Sequence, residues 1–145
     1  MEISIFDFDN TLVETPYPES IDYMDRDESL DENKWTFKPQ KDINKIYKEL
    51  PSSNLKVLLT NRIDVVQEEV VSLLERRGIT FDEHMFIEGR DGNRSKGDRL
   101  KRLLKKYPEA KKVSFWDDKQ KHIDDMSEKS KEFNNIKFNF NLVKK

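Results

Sequence analysis

Two carboxylates, Asp7 and Asp9, stand at the end of a short apolar run that includes Ile3, Ile5, Phe6 and Phe8. A run of that length reads as a strand buried on both faces, the kind found in parallel sheets. Side chains at i and i+2 of a strand point the same way, so both carboxylates are expected to face one pocket where the strand runs out. Like charges that close repel each other, and no apolar neighbour repays their desolvation. A divalent cation removes the difficulty, and the carboxyl ends of parallel strands are where open α/β sheets bind ligands. The plainer alternative is a strand that ends in an Asp-rich, N-capping turn.

The rest of the chain alternates helix and strand signals. Ile43, Ile46, Tyr47 and Leu50 mark an amphipathic helix over 40–50 that Pro51 stops, and 55–59 is a second buried strand ending at Thr60-Asn61-Arg62. Asp64 is expected to cap a helix with Val66, Val70, Leu73 and Leu74 on one face, closed by Gly78. A weaker strand over 84–87 leads into a turn at 89–93. Ser95-Lys96-Gly97-Asp98 then opens a helix with Leu100, Leu103, Leu104 and Tyr107 at helical spacing, ended near Pro108. A third strong strand, 112–116, runs into Asp117-Asp118. A less regular helix with Ile123, Met126 and Phe133 inward follows, and 136–143 makes a last strand. This alternation predicts an α/β fold with a mainly parallel sheet of about five strands, flanked by helices and joined by right-handed crossovers. At 145 residues, the length suggests one domain spanning 1–145 with no room for a separate substrate module.

Residues 13–39 break the pattern. They hold Thr15-Pro16-Tyr17-Pro18 and then Asp22, Asp25, Asp27, Glu28, Asp31 and Glu32, with little periodicity, and read as a long loop or flap leaving directly from the acidic pair. Tyr17, Tyr23, Trp35 and Phe37 are expected to anchor this flap to the body, since aromatic residues mostly serve burial. The first 33 residues carry 11 acidic and 1 basic side chains, whereas the remainder carries 18 acidic and 26 basic, so the overall charge of −2 conceals a strong asymmetry. A uniformly basic nucleic-acid binder is excluded, although the C-terminal part can offer a local basic surface. The absence of cysteine excludes disulfides and thiolate metal sites and fits a cytoplasmic protein. No segment has the length of a membrane span or the plan of a secretory signal.

Four polar clusters fall just past a strand or at a helix start: Asp7, Asp9 and Thr11; Thr60, Asn61 and Arg62; Lys96; and Asp117 with Asp118. In a parallel sheet those places converge on one edge. Asp-x-Asp-x-Thr after a hydrophobic strand, followed in order by the Thr, the Lys and the Asp-Asp pair, resembles the four motifs of the haloacid dehalogenase (HAD) superfamily of phosphohydrolases. The resemblance implies a Rossmann-like fold with a minimal cap, here only the flap, and a Mg²⁺-dependent phosphomonoesterase working through an aspartyl-phosphate. It implies that Asp7 is the nucleophile and a metal ligand. Asp9 would be the general acid/base whose carbonyl also touches the metal, and Lys96 would balance the charge of the transferring group. Thr11, Thr60, Asn61 and Arg62 would serve phosphate and substrate, and Asp117 or Asp118 would complete the Mg²⁺ site.

Thr60-Asn61-Arg62 and Asp117-Asp118-Lys119 with His122 are similar to signatures of HAD phosphatases linked to nucleic-acid end repair, among them the 3′-phosphatase domain of phage polynucleotide kinase. Asn61 stands there for Gly and Lys119 for Arg. The implied substrate is a nucleic-acid 3′-phosphate end; a nucleotide or other small phosphomonoester is the alternative, and a non-catalytic nucleic-acid or protein-binding module of the same fold is the alternative from another class. His122, one turn into a helix, is expected to orient an acidic neighbour or to lie on the surface. Arg94, Lys96, Arg99, Lys101, Arg102, Lys105 and Lys106 either track a polynucleotide backbone or form the solvated face of an amphipathic helix. The chain is expected to act as a monomer away from membranes.

Overall fold

The structure is a computed structural model, and it describes residues 1–144, with Tyr23 described by its backbone alone. The anchoring role expected of the Tyr23 side chain therefore lies outside the described residues. In chain order the elements are β1 (Glu2–Phe6), β2 (Val13–Glu14), α1 (Tyr23–Glu28), β3 (Lys38–Pro39), α2 (Lys41–Glu49) and β4 (Leu55–Ile63). They continue with α3 (Gln67–Glu75), β5 (Glu83–Ile87), α4 (Lys96–Lys106), β6 (Lys112–Asp117), α5 (Gln120–Ser130) and β7 (Lys137–Leu142).

Five of the strands form one sheet in the order β5-β4-β1-β6-β7, with every neighbouring pair parallel. The chain lays strands to one side of β1 and then, with β6, to the other, so the strand order reverses between β1 and β6. That reversal opens a crevice at the carboxyl ends of these two strands. Helices cover both faces, as a Rossmann-like arrangement requires. Alternation along β1 decides the packing: Ile3 and Ile5 join Leu100, Leu103 and Met126 from α4 and α5, while Phe6 joins Tyr47, Val70 and Leu73 from α2 and α3. Phe6 also stacks on Trp116 at 4.6 Å between ring centroids.

Local chemistry explains most boundaries. Gln40 rather than a shorter side chain caps α2, its Oε1 accepting from the Ile43 N–H at 2.9 Å. Gly78 closes the turn after α3 with a φ of +77°, the left-handed conformation that favours glycine. Asp64 does not cap α3 as expected. It starts a short 3-10 turn, and its carboxylate accepts from the Gly89 N–H instead, because α3 begins only at Gln67. β4 runs four residues past the expected end at Leu59, with an irregularity in its pairing to β5 between Leu59 and Ile63.

The flap has more order than its lack of periodicity suggested. β2 and β3 pair antiparallel and close its base, and Asp22 caps the short helix α1. Phe37 is fully buried, and Tyr17 and Trp35 pack beside it against the core, so these three do anchor the flap. Its acidic tip meets arginines of the body. Asp27 pairs with Arg94, Glu28 with Arg90 through two contacts at 2.6 and 3.1 Å, and Glu32 with Arg76. The charge asymmetry of the sequence is thus an acidic strap folded across a basic surface. Among the described residues, no helix is long and apolar enough to cross a membrane.

Candidate active site

Strand register brings the two ends of the acidic set together. Phe6 pairs with Trp116 across β1 and β6, and the next N–H, that of Asp7, donates to the Trp116 carbonyl at 3.0 Å. Asp7 and Asp117 are therefore level neighbours at the crevice mouth, one strand spacing apart. Asp118 joins them: an oxygen from each of Asp7, Asp117 and Asp118 lies within 4.8 Å of the others. Between the first two stands Lys96, fully buried, whose Nζ donates to Asp7 Oδ1 at 2.9 Å and to Asp117 Oδ2 at 2.5 Å.

Helix α4 is locked in place to deliver that lysine. The Ser95 hydroxyl oxygen accepts from the Asp98 N–H, and Asp125 of α5 accepts from both the Gly97 N–H (2.9 Å) and the Ser95 hydroxyl (2.6 Å). Gly97 permits this approach, since a Cβ there would lie 2.7 Å from the Asp125 carbonyl oxygen. Asp125 gave no signal in the sequence, being one acid among several on a polar helix.

Charge and burial polarise the cluster. Burial, with the charge of Asp117 behind it, pushes Asp7 well above the usual carboxylate range, and Asp118 and Asp9 add to this against the pull of Lys96. Asp117 is also buried, but Lys96 and His122 outweigh that and hold it ionised well below the usual range. Lys96 keeps its proton because Asp7 and Asp117 together overcome its desolvation. Three carboxylate oxygens around one point can hold a metal ion, and a cation there would favour the ionised form of Asp7.

Asp9 lines the same cleft as Asp7 but stands outside the cluster of three carboxylates. β1 ends at Phe6, and the chain turns through Asn10 at a φ of +56°, so the period of two no longer applies. The Asp9 carboxylate instead accepts from Arg62 Nε and Nη2, each at 2.9 Å, and from the Thr15 hydroxyl at 2.7 Å. Burial raises its pKa, but the charge and hydrogen bonds of Arg62 win, so Asp9 sits below the usual range. Arg62 itself is 1% exposed, lies between the rings of Phe8, Tyr17 and Phe37, and donates to the Ser29 carbonyl at 2.8 Å. One guanidinium thus ties the second acid to the flap.

The remaining expected residues divide. Thr11 is fully buried and gives its hydroxyl proton to Asp7 Oδ2 at 3.3 Å, so it steadies Asp7. Thr60 is also fully buried, and its oxygen accepts from the Arg62 N–H at 3.1 Å. Asn61 does reach the cleft. Its Oδ1 accepts from Arg99, and its Nδ2 lies 3.4 Å from His122 Nε2. His122 Nδ1 faces Asp117 at 3.0 Å, so the histidine orients an acidic neighbour and is not a surface residue.

Arg99, read from the sequence as part of a basic face, is 3% exposed and donates to the carbonyls of Thr60 (2.7 Å) and Met85 (3.4 Å). Its burial, aided by Arg102, pushes its pKa down to about 10. The basic set of α4 is thereby reduced. Lys96 and Arg99 point inward, while Lys101, Arg102 and Lys106 pair with Glu132, Glu88 and Glu83.

Asp7, Asp9, Asn61, Asp118 and His122 open into a cleft of about 520 Å³, walled on one side by Tyr17, Pro18, Glu19 and Ile21 of the flap. Arg94, from the basic set, lines it as well, and so do Arg26 and Asp27, which carry no site signal in the sequence.

Residues 85–141 match a family described as a protein of unknown function (DUF2608). The match covers Lys96, Asp117 and Asp118 but not Asp7, and it brings no activity with it. No curated protein matches the chain significantly, and neither does any solved structure.

Proposed function

We propose that this chain is a Mg²⁺-dependent phosphomonoester hydrolase of the HAD type. The observation that carries the reading is the placement of Lys96 between Asp7 and Asp117, with Asp118 close enough to share a cation. A buried ammonium beside two buried carboxylates and a third half-buried one makes little sense as stabilising architecture. It suits a site that must gain a cation and then a phosphoryl group.

Asp7, the Asp9 carbonyl and one or both of Asp117 and Asp118 would hold Mg²⁺, which would supply charge to the phosphoryl oxygens and keep the nearby carboxylates ionised. The Asp7 oxygen not held by Lys96 attacks phosphorus, and the bond from phosphorus to the alcohol oxygen breaks as the aspartyl-phosphate forms. Thr11 and Lys96 fix the rotamer of Asp7 for that attack. Lys96 stays protonated and stabilises the added negative charge. Water then attacks phosphorus and releases phosphate and Asp7, with its proton passing to Asp9. The pairing of Asp9 with Arg62 leaves the carboxylate ionised and ready to take that proton. In the first step the same residue must carry a proton to the leaving oxygen, so Arg62 has to yield part of its hold.

A cleft of about 520 Å³ with the flap along one wall suits a nucleotide-sized group, including the terminal nucleotide of a polynucleotide. The test is a screen for phosphate release with and without Mg²⁺ across an aryl phosphate, nucleotides, 3′- and 5′-phosphorylated oligonucleotides and sugar phosphates. Release that depends on Mg²⁺ and favours a nucleotide or an oligonucleotide end is the expected result. No release from any of them would overturn the reading.

A further inference from the structure

We propose that Arg26 and Arg94 form a second anion site in the same cleft, which takes a further phosphate of the substrate, and that Asp27 of the flap occupies this site in the closed structure as the stand-in for that phosphate. The inference deepens the hydrolase reading and rests on it for the identity of the reacting group.

Three observations carry it. Arg26 on α1 and Arg94 on the loop before α4 both line the cleft that holds Asp7 and Asp118, and they converge on one carboxylate, with Arg26 Nε 3.2 Å and Arg94 Nη1 3.4 Å from Asp27. Guanidinium groups that accept a carboxylate between them accept a phosphate by the same forked geometry, and a phosphate dianion binds more strongly than a carboxylate. Second, the tenant is poorly settled. Asp27 is 6% exposed, and its burial raises its pKa against the pull of Arg26 and, more weakly, Arg62. Third, the tenant can leave. Asp27 belongs to a helix of six residues, and the neighbouring link from that helix to the body, Glu28 to Arg90, lies at the surface where ion pairs are weak.

Arg94 also precedes Lys96 by two residues, which sets the second anion beside the reacting phosphoryl group. A substrate with one phosphate on Asp7 and another on these arginines would displace the Asp27 carboxylate from between them. One with a single phosphate would leave Asp27 in place. The second phosphate can be a monoester on the same nucleotide or the phosphodiester of a neighbouring one.

The experiment compares kcat/KM in Mg²⁺ for adenosine 3′,5′-bisphosphate, a 3′-phosphorylated dinucleotide and an aryl phosphate. It is run on the full chain and on Asp27→Asn and Arg94→Gln. The expected preference for a second phosphate, relative to the aryl phosphate, rises in Asp27→Asn because the competitor loses its charge. In Arg94→Gln it falls by about tenfold, the worth of one charge-assisted hydrogen bond. Preference for the bisphosphate alone points to a nucleotide, and preference for both substrates to a polynucleotide end. A merely structural role for the triad would move both variants in the same direction, and that result overturns the proposal.

Calorimetric binding of adenosine 3′,5′-bisphosphate to the same three proteins separates the two readings. Opposite affinity shifts without any phosphate release keep the second site and sink the hydrolase. Release without opposite shifts does the reverse.

Discussion

Arg62 holds Asp9 through two parallel hydrogen bonds, Nε to Oδ2 and Nη2 to Oδ1, each 2.9 Å long, and holds the flap with the rest of the same guanidinium. Among the described residues no other carboxylate lies so close to this buried cation, and its three ring neighbours exclude water from it. Position of the flap and charge on Asp9 are therefore one variable.

Replacing Arg62 by lysine keeps the charge but not the fork. Arg62→Lys is expected to lower thermal stability and to cut turnover, with added proteolysis within 13–39. Arg62→Ala leaves Asp9 without its partner and is expected to cost about 3–5 kcal/mol. Urea melts and limited proteolysis check both. Wild-type stability in Arg62→Ala would show that the pair is ornamental.

Asp9 also sets a dependence on acid. Its folded pKa lies below the usual value of about 3.9, so the pairing contributes stability that is fully present above that value and is lost as pH falls through the folded pKa. Melting temperatures of the wild type and Asp9→Asn should differ at neutral pH and converge below about pH 4. A gap that stays constant into acid would contradict the assignment.

Lys96 is the only described cation bonded to both Asp7 and Asp117. Lys96→Met leaves these carboxylates buried and close, which is expected to cost about 3–5 kcal/mol in the absence of a divalent ion. Because Mg²⁺ would screen the same charges, millimolar Mg²⁺ should restore a larger share of stability in Lys96→Met than it adds to the wild type. Equal Mg²⁺ shifts in the two proteins would argue against a cation at this position.

Gly97 is where α4 and α5 touch. Gly97→Ala sets a Cβ 2.7 Å from a backbone oxygen, which must push the helices apart and tilt Lys96 away from Asp7. A loss of about 1–3 kcal/mol, the usual cost of overpacking, is expected in a urea melt.

Much of this geometry is legible in the sequence because it depends on periodicity. Apolar runs that lead into 7 and 117 announce parallel strands, and once they are neighbours Asp7 and Asp117 must meet. The pairing of Asp9 with Arg62 escaped, since strand alternation stops where a turn begins and nothing in the sequence marks Phe6 as the last paired residue. Arg99 escaped because a cationic residue on an amphipathic helix is read as solvated. Yet Lys96, Arg99, Leu100 and Leu103 stand at i, i+3, i+4 and i+7, the spacing of one inward stripe, and that was the available signal. The flap hid its order for a different reason. It is held by ion pairs and by a few aromatic side chains at its base, and neither leaves a period to detect.

The nucleophilic role of Asp7 is tested most directly by phosphate release from an aryl phosphate, with and without Mg²⁺, for the wild type and Asp7→Asn, with circular dichroism to verify the fold. Wild-type release should require the ion, and release by the equally folded Asp7→Asn should fall by on the order of 10³ or more. Turnover retained in Asp7→Asn, or wild-type turnover indifferent to Mg²⁺, would contradict the assignment of Asp7 as the group that receives the phosphate.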